Sequence, residues 1–370
     1  MKYCKRCVMP DTRPGSIVDE EGVCLACRNY EKRSSINWEK RLERLKTLCD
    51  KHRRSDGYYD CVIPVSGGKD SHFLTYVMTV EMGMNPLVVT VGDPFTKTAA
   101  GVHNLNNLGD AFGRDRLLFD LSRDLFRRVT KIGTEELGEP LRFIEAAIYI
   151  VPTALAVSLR IPLIVFGENG AYEFGNTGEE TYSALDAIMK KAKTVNVDFW
   201  LDKGVRKKEI NALMLPTPEE MERVSLEPIF MSYFVPWDGR RHYETAKRFG
   251  FKDLAHEWKR EGNIEDYDQV DSVAYIVHSW MKYPKFGFAR ATDIACRWIR
   301  AGRITREGAK KLVMDYDHKL DQRAMDDFNL LLGYTTKEFW DIVERFWNPE
   351  LFEKDGVVWK LKDPIYKDEL

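Results

Sequence analysis

Four cysteines near the amino terminus form the first group of residues whose types and spacing predict chemistry. Cys4 and Cys7 make one CxxC pair, and Cys24 and Cys27 make a second pair sixteen residues further on. Two such pairs are typical of a closed zinc site, in which each turn supplies two thiolates to a tetrahedral ion. A redox dithiol is the alternative, but redox CxxC motifs come singly and open a helix of a thioredoxin-like fold. We therefore expect a structural Zn²⁺ ion rather than a catalytic metal.

A glycine-containing loop is the second group. It follows an apolar run at residues 61–65 and precedes a predicted helix. Two glycines let backbone N–H groups approach a ligand, while the helix amino terminus and a lysine add positive charge, so the loop is suited to an anion. Serine hydroxyls can donate to phosphoryl oxygens, and the aspartate can cap the helix or hold Mg²⁺. The spacing differs from the GxxxxGK[ST] pattern of a Walker A loop. The residues of the loop are Ser66, Gly67, Gly68, Lys69, Asp70 and Ser71.

A carboxylate follows another buried run, at residues 161–166. Glu168 is separated from this predicted strand by one glycine and is followed by Asn169. Side chains at the carboxyl ends of parallel strands project into the crevice where ligands bind. A carboxylate in this crevice is a candidate for a catalytic role, and we expect Asn169 to contact substrate. The alternative, in which Glu168 caps a turn or holds Mg²⁺, remains open.

Basic residues gather in the carboxy-terminal third of the chain. Lys285 and Arg290 flank a predicted turn and are the candidates for binding an anionic substrate, with Asp293 orienting Arg290. Guanidinium forks suit the carboxylate of a sugar acid or the diphosphate of a sugar nucleotide. A solvated basic helix face is the alternative for any single residue. The other members of the cluster are Arg300, Arg303 and Arg306.

The elements that would position these groups can be read from hydrophobic periodicity. Short apolar runs that alternate with helical patterns predict an α/β fold with a parallel sheet and helices on both faces. The runs lie at residues 61–65, 86–91, 116–119, 161–166 and 226–230. After about residue 236 we expect no further strands, and a capping box at Thr335 opens a helix. A chain of 370 residues is long enough for two or three domains. We expect a zinc ribbon over 1–45, a nucleotide domain over 46–235 and a helical substrate domain over 236–370.

Composition and charge exclude several classes of protein. The chain has 56 basic and 58 acidic residues and a net charge of −2, so no overall attraction to nucleic acid is expected. Its most apolar stretch, residues 146–166, is interrupted by Pro152, Arg160 and Pro162. The stretch is therefore too interrupted for a membrane span. The final four residues, KDEL, equal an endoplasmic reticulum retention signal. No secretory signal opens the sequence, so we expect this match to be coincidental and the protein to be cytoplasmic.

The motifs together resemble a known family. The loop SGGKDS is similar to the pyrophosphate-binding loop of the PP-loop ATP pyrophosphatases. The wider chain resembles the N-acetyl sugar amidotransferases of bacterial surface-polysaccharide and flagellin-glycan pathways. This resemblance spans nearly the whole chain. The blocks that carry it are residues 3–14 (YCKRCVMPDTRP), 161–169 (IPLIVFGEN), 285–293 (KFGFARATD) and 299–307 (IRAGRITRE).

The resemblance implies an adenine nucleotide α-hydrolase-like fold and an ATP-dependent reaction that forms AMP and pyrophosphate. A sugar, free or nucleotide-linked, would have its acetamido group converted to acetamidino in lipopolysaccharide O-antigen or flagellin-glycan biosynthesis. Lys69 and Glu168 would be catalytic, because the segment at Glu168 is similar to the Gly-Glu-Gly stretch of asparagine synthetases. ATP, Mg²⁺ and structural Zn²⁺ are the implied cofactors. Position 2 is Lys2, so no amino-terminal glutaminase is expected. Ammonia would come from partners resembling the glutaminase and cyclase of histidine biosynthesis.

Two other functions are compatible with part of the pattern. A tRNA-modifying PP-loop enzyme of the thiolation type shares the ribbon and the loop, but it typically needs further paired cysteines. Cys49, Cys61 and Cys296 form no pair by spacing. A non-catalytic nucleotide sensor would need only the loop and would leave Glu168 and the basic cluster unexplained.

Overall fold

A five-stranded parallel sheet forms the centre of the computed structural model, which describes residues 1–365. The KDEL match at residues 367–370, which we expect to be coincidental, therefore lies outside the described residues. The strand order is β3-β2-β1-β4-β5, and every neighbouring pair is parallel. All five strands lie within the predicted runs or match them, so the α/β fold class is confirmed. The strands are β1 (Cys61–Pro64), β2 (Pro86–Val91), β3 (Arg116–Phe119), β4 (Leu163–Phe166) and β5 (Glu227–Phe230).

Both faces of the sheet are covered, as continuous apolar strands require. Successive residues of a strand point to opposite faces, so Cys61 and Ile63 of β1 enter one core and Val62 enters the other. The first core is completed by residues of α2 (Trp38–His52), α3 (Lys69–Tyr76) and α4 (Ala99–Phe112). The second is completed by α6 (Arg142–Ser158) and α8 (Leu185–Val195).

The strand order places the predicted site at a particular point of the sheet. From β1 the chain moves to one side through β2 and β3, and then crosses to the other side for β4 and β5. The crevice between β1 and β4 is the switch point, where doubly wound sheets bind their ligands. The loop that follows β1 and the carboxylate that follows β4 therefore emerge next to each other.

The helix boundaries confirm several local expectations. Asn37 caps α2 through a bond from the Lys40 N–H, and Thr335 forms the predicted capping box with Glu338. The helix that begins at Lys69 continues after Tyr76 as a π-helical turn before it ends. The helices outside the two sheet layers named above are α1 (Leu25–Lys32), α5 (Arg123–Ile132), α7 (Gly170–Glu173), α9 (Val197–Asp202), α10 (Pro218–Arg223), α11 (Met231–Phe234), α12 (Gly239–Arg248), α13 (Tyr275–Trp280), α14 (Lys282–Phe286), α15 (Arg290–Arg300), α16 (Arg306–Tyr316), α17 (Gln322–Leu332) and α18 (Thr336–Glu344).

The carboxy-terminal region is mainly helical, but the expectation of no strands after residue 236 is wrong. An antiparallel hairpin pairs β6 (Phe352–Asp355) with β7 (Val358–Leu361). Gly356 adopts a φ of 62° in the two-residue turn, a conformation that glycine reaches without steric cost. The strands are mostly exposed, so they lack the buried apolar runs by which the other strands were predicted.

The amino-terminal cysteine region packs against the helical region. One apolar cluster joins the four cysteines of the CxxC pairs to Phe288, to Ala295 and Cys296 of α15, and to Ala309 of α16. A separate and larger core lies among α5, α6, α13, α17 and α18. Within residues 1–365, no helix combines the length and apolar character that crossing a bilayer requires.

Candidate functional site

The loop between β1 and α3 has the geometry of an anion cradle. Gly67 has a φ of 94°, and a Cβ atom there would lie 3.2 Å from the backbone nitrogen of Leu105, so only glycine fits. The Ser66 N–H donates to Ser71 Oγ over 3.0 Å, which closes the loop onto the first turn of α3. His72 holds the loop from behind, with Nδ1 3.1 Å from the Gly68 carbonyl oxygen.

Lys69 and Asp70 form an ion pair at the start of α3, with Nζ 3.0 Å from Oδ2. The lysine is almost fully buried, whereas 41% of the aspartate side chain is exposed to the crevice. Burial opposes the charge on Lys69, but the carboxylates of Asp70 and Asp268 outweigh it and raise the lysine pKa. A charge fixed in this way needs little reorganisation when an anion forms next to it.

His242, which sequence reasoning did not single out, completes this group from α12. Its Nδ1 lies 2.6 Å from Asp70 Oδ1, and the Asp238 N–H donates to its Nε2 over 3.3 Å. Burial lowers the pKa of His242, although Asp70 opposes this, so the imidazole is neutral and its Nδ1–H donates to Asp70. Lys69 and His242 together outweigh the effect of burial on Asp70 and hold its pKa well below the usual range.

Glu168 lies at the end of β4, opposite the loop. Many protein atoms surround Glu168, but its side chain faces the crevice and is exposed there. Desolvation, with the negative charge of Asp70 as a second cause, raises the pKa of Glu168, and Arg297 opposes the shift. Among the described residues no side chain donates a hydrogen bond to this carboxylate. A carboxylate with a raised pKa and no partner is suited to accept a proton.

Two cavities open on this group of residues. The first, of about 290 Å³, lies over the carboxyl ends of the strands and runs from Ser66 and Ser71 of the loop to the apolar side chains of Val91, Tyr149 and Phe166. A polar end at an anion cradle and an apolar end are the features expected for a purine nucleotide.

The second cavity is a cleft between the sheet, the amino-terminal region and the helical region. Its walls carry five basic and five acidic side chains together with aromatic ones. Asp70 and Glu168 line both cavities, so the two spaces meet at these carboxylates. The charged residues of the cleft are Arg33, Lys69, Arg297, Arg300 and Arg303, and Asp70, Glu168, Glu173, Asp238 and Glu265.

The basic residues chosen from the sequence as substrate ligands do not line this cleft. Arg290 Nε donates to the buried carboxylate of Asp268 over 2.8 Å. Lys285 Nζ donates to the Leu137 carbonyl oxygen over 3.0 Å and lies 3.2 Å from Glu139. The charges of Lys285 and Arg290 are thus paired with other groups of the protein. The structure does not bring either residue together with the loop.

Asp293 and Asn169 likewise have structural partners. Asp293 is buried and pairs with Arg13 and Lys282; it also lies 3.9 Å from Arg290, a looser contact than the predicted orienting role implies. Asn169 caps α7 and its N–H donates to Ser232 Oγ over 3.1 Å. Asn169 therefore holds the turn that presents Glu168. Neither Asn169 nor Asp293 lines the cleft.

The four cysteines of the CxxC pairs are brought together, as predicted. Their sulfur atoms all lie within 4.8 Å of one another, and the Sγ atoms of Cys7 and Cys24 are 3.7 Å apart. Thiolates bound at about 2.3 Å around a tetrahedral ion require similar separations. The N–H groups of Cys7 and Cys24 both point at Cys4 Sγ, and Arg306 donates to the Cys7 carbonyl oxygen. The donor set and its backbone support fit a zinc ion.

Comparison with known proteins identifies a matching family model, a similar sequence and similar solved structures. Residues 243–365 match the family model described as LPS biosynthesis protein WbpG-like, C-terminal domain. This match confirms, for that region, the resemblance to proteins of surface-polysaccharide biosynthesis. An uncharacterized protein of Methanocaldococcus jannaschii is 25% identical over 157 residues, which are 42% of this chain. The matched part spans 56% of that relative, so the similarity covers about half its length.

A solved structure, that of NAD⁺ synthetase from Burkholderia pseudomallei, is similar at 13% identity and a TM-score of 0.29. The similarity covers 63% of this chain and 95% of the synthetase. The fold of the present chain is established by its own strand order and register.

Proposed function

We propose that this protein is an ATP-dependent amidotransferase of the PP-loop type that converts a sugar acetamido group to acetamidino. The observation that carries the proposal is the meeting of two cavities at Asp70 and Glu168. One cavity combines an anion cradle with apolar walls, and the other is a cleft lined by ten charged side chains. An enzyme that activates one substrate with ATP needs the two ligands to meet at such a junction.

In the first step the amide oxygen of the sugar attacks the α-phosphorus of ATP. The bond from this phosphorus to the bridging oxygen breaks, and the products are an O-adenylyl imidate and pyrophosphate. The loop N–H groups and Lys69 face the site where the leaving pyrophosphate gathers negative charge. Because Lys69 is held by Asp70 and Asp268, its ammonium is already charged and oriented.

In the second step ammonia attacks the imidate carbon. The nitrogen must lose a proton as the carbon–oxygen bond breaks and AMP leaves. Glu168 is the group at the cavity junction with a raised pKa and an exposed carboxylate, so we assign it as the base. Asn169 acts indirectly, by capping the short helix that follows Glu168.

Two metal ions belong to this proposal. Mg²⁺, when bound with the nucleotide, would be held by Asp70 and would neutralise phosphate charge. Asp70 fits this role because its carboxylate is ionised and 41% exposed to the crevice. Zn²⁺ would be held by the four clustered cysteines, where a closed thiolate set supports structure and leaves no open coordination position.

The source of ammonia and the pathway are also proposals. A separate glutaminase, resembling that of histidine biosynthesis together with its cyclase, would supply ammonia. The match of the carboxy-terminal region to a lipopolysaccharide-biosynthesis model supports a free or nucleotide-linked sugar as substrate.

The reaction class can be tested with the purified full-length protein, ATP, Mg²⁺, ammonium and a panel of acetamido sugars. We expect ³¹P spectra to show AMP and pyrophosphate, and mass spectrometry to show a product lighter by about one mass unit, because oxygen is replaced by NH. ADP and phosphate as products would refute α-phosphate cleavage. Salt-dependent binding of tRNA with no sugar product would instead favour a tRNA-modifying enzyme.

A further inference from the structure

The helix α15 presents two arginines to the second cleft. Arg297 and Arg300 are three residues apart, so they lie on the same face of the helix, and both line the cleft. Arg290, at the start of the same helix, points to a different partner and does not line the cleft. Arg297 and Arg300 therefore identify the part of α15 that borders the cleft.

The pairing of these arginines differs from that of their neighbours. Arg290 is bound by Asp268, Arg303 by Asp238, and Arg306 by the carbonyl oxygen of Cys7. Over residues 1–365, neither Arg297 nor Arg300 makes a side-chain hydrogen bond or an ion pair with a carboxylate. The Nη2 atom of Arg297 is fully buried and has no hydrogen-bond partner.

The charge of Arg300 interacts with the sulfur atoms of the cysteine cluster, so the unsatisfied donor in this group is the buried Nη2 atom of Arg297. Removing a charged donor from water without giving it an acceptor destabilises the folded protein. The charge of Arg297 opposes the rise in the pKa of Glu168 and of Glu173. Glu173, however, is already bound by Arg33. The arrangement is therefore explained if the acceptor arrives with a ligand.

The position of the pair indicates which ligand this is. The nucleotide cavity opens on the loop at Ser66 and Ser71, whereas the arginines lie in the cleft on the other side of Glu168. An anion bound there belongs to the second substrate. Planar guanidinium forks bind two oxygens at once, which suits a carboxylate or a phosphate.

We propose that Arg297 and Arg300 form a subsite for an anionic group of the acetamido sugar, either the carboxylate of a sugar acid or the diphosphate of a nucleotide-linked sugar. This proposal rests on the proposed function, which supplies the acetamido sugar. It adds an anionic group on that sugar and the two arginines that bind it. The residues Lys285 and Arg290 have no part in it.

The test is direct binding to the full-length protein, with the nucleotide cavity filled by α,β-methylene-ATP and Mg²⁺. Four probes separate the sources of the anion: N-acetylglucosamine, N-acetylglucosaminuronate, UDP-N-acetylglucosamine and UDP. We expect the uronate or the UDP-sugar to bind at least ~10-fold more tightly than the neutral sugar in calorimetry, because charged hydrogen bonds are added. Tight binding of the uronate identifies a carboxylate. Tight binding of the UDP-sugar together with UDP alone identifies a diphosphate.

Two variants locate the subsite. Arg297→Gln should weaken the anionic probe ~10- to 100-fold and leave the neutral sugar within about twofold. Arg297→Lys should recover part of the affinity, because it restores the charge and not the fork. Arg248→Gln is the control, since Arg248 is exposed at the end of α12, and it should change neither affinity.

Thermal unfolding separates this role from a structural one. If Arg297 serves only a ligand, Arg297→Gln should unfold at the same temperature as the wild type or higher, because a charged side chain with a buried donor that lacks an acceptor is removed. A lower unfolding temperature with unchanged affinity for every probe would overturn the subsite. Equal affinity of the wild type for neutral and anionic sugars would also overturn it. Either result, obtained while AMP and pyrophosphate still form with an acetamido sugar, would leave the proposed reaction intact.

Discussion

At the scale of single residues, Lys69 combines burial with a charge that its neighbours hold in place. Lys69→Ala removes the ammonium that faces the leaving pyrophosphate, so we expect pyrophosphate release to fall by at least ~10²–10³-fold. The measurement is a coupled pyrophosphate assay with saturating ATP and sugar. Lys46→Ala is the matched control, because Lys46 is exposed on α2. Pyrophosphate release retained in Lys69→Ala would refute the assignment of the loop.

In the proposed mechanism Glu168 is the residue whose loss separates the two half-reactions. Glu168→Gln should spare formation of the adenylylated intermediate and lower amidine formation by ~10²–10⁴-fold, because the base is lost. Rapid quench with ³²P-labelled ATP would follow the first step and mass spectrometry the second. Equal loss of both steps would instead assign Glu168 to ATP or metal binding.

The pH dependence of the second step follows from the raised pKa of Glu168. The carboxylate must be ionised to accept a proton, so the rate should fall as the pH drops through this raised pKa. The acid limb of the wild-type profile, corrected for the concentration of free ammonia, should therefore lie above the range of an ordinary glutamate. In Glu168→Gln this limb should disappear.

Residues adjacent to a motif were predictable, and residues distant from it were not. The loop and Glu168 follow strands directly, so their place at the switch point could be inferred from the pattern of strands. His242 lies 172 positions after Asp70, and its role depends on how α12 packs against α3. Asp238, which caps α12 in the structure, stands four residues before this histidine, and no motif in the sequence singled out either residue.

At the scale of elements, the strands were predicted more accurately than the helix faces. Apolar runs of four to six residues between turn signals appear in the structure as β1–β5, because burial on both faces of a parallel sheet needs such runs. For α15 the sequence indicated basic side chains but not which turn of the helix borders the cleft. Arg290 occupies the first turn and Arg297 lies seven residues later on nearly the same face, so packing along the helix axis decides which of them reaches the cleft.

The Arg290–Asp268 pair gives a prediction at this scale. Both side chains are largely buried, so Arg290→Met leaves Asp268 as an uncompensated charge. We expect the free energy of unfolding in urea to fall by about 3–5 kcal/mol. The double variant Arg290→Met/Asp268→Leu should recover part of this loss, since the lone charge is removed as well. A single variant as stable as the wild type would contradict the structural role.

At the scale of the whole molecule, the near-zero net charge is compatible with a strongly charged site. The cleft carries equal numbers of basic and acidic side chains, and most of them are paired with each other. Within residues 1–365 the exceptions are Arg297 and Arg300 among the basic side chains and Glu168 and Glu265 among the acidic ones. A small anion can therefore be held by local charge, without the extended basic surface that a nucleic acid requires.

The cysteine cluster links the amino-terminal region to the helix that lines the cleft. Arg306 of α16 donates to carbonyl oxygens of Cys4 and Cys7, and Cys296 of α15 lies beside the Cys7 thiol. The four cysteines of the CxxC pairs, the backbone that carries them and the end of α15 thus share one apolar core. Loss of a metal from this cluster should disturb both the amino-terminal segment and the position of Arg300.

Removal of zinc tests this coupling. Metal analysis of the purified protein should give about one zinc ion per chain, since four thiolates close one tetrahedral site. A strong chelator should then unfold the amino-terminal segment, because structural zinc contributes directly to folding. Limited proteolysis should cut within residues 1–32 before it cuts the central sheet, and far-ultraviolet circular dichroism should decrease. Cys7→Ser should reproduce this state, whereas Cys49→Ser, a buried cysteine outside the cluster, should retain the zinc. Unchanged protease resistance and circular dichroism after complete zinc removal would show that the cluster does not hold this region together.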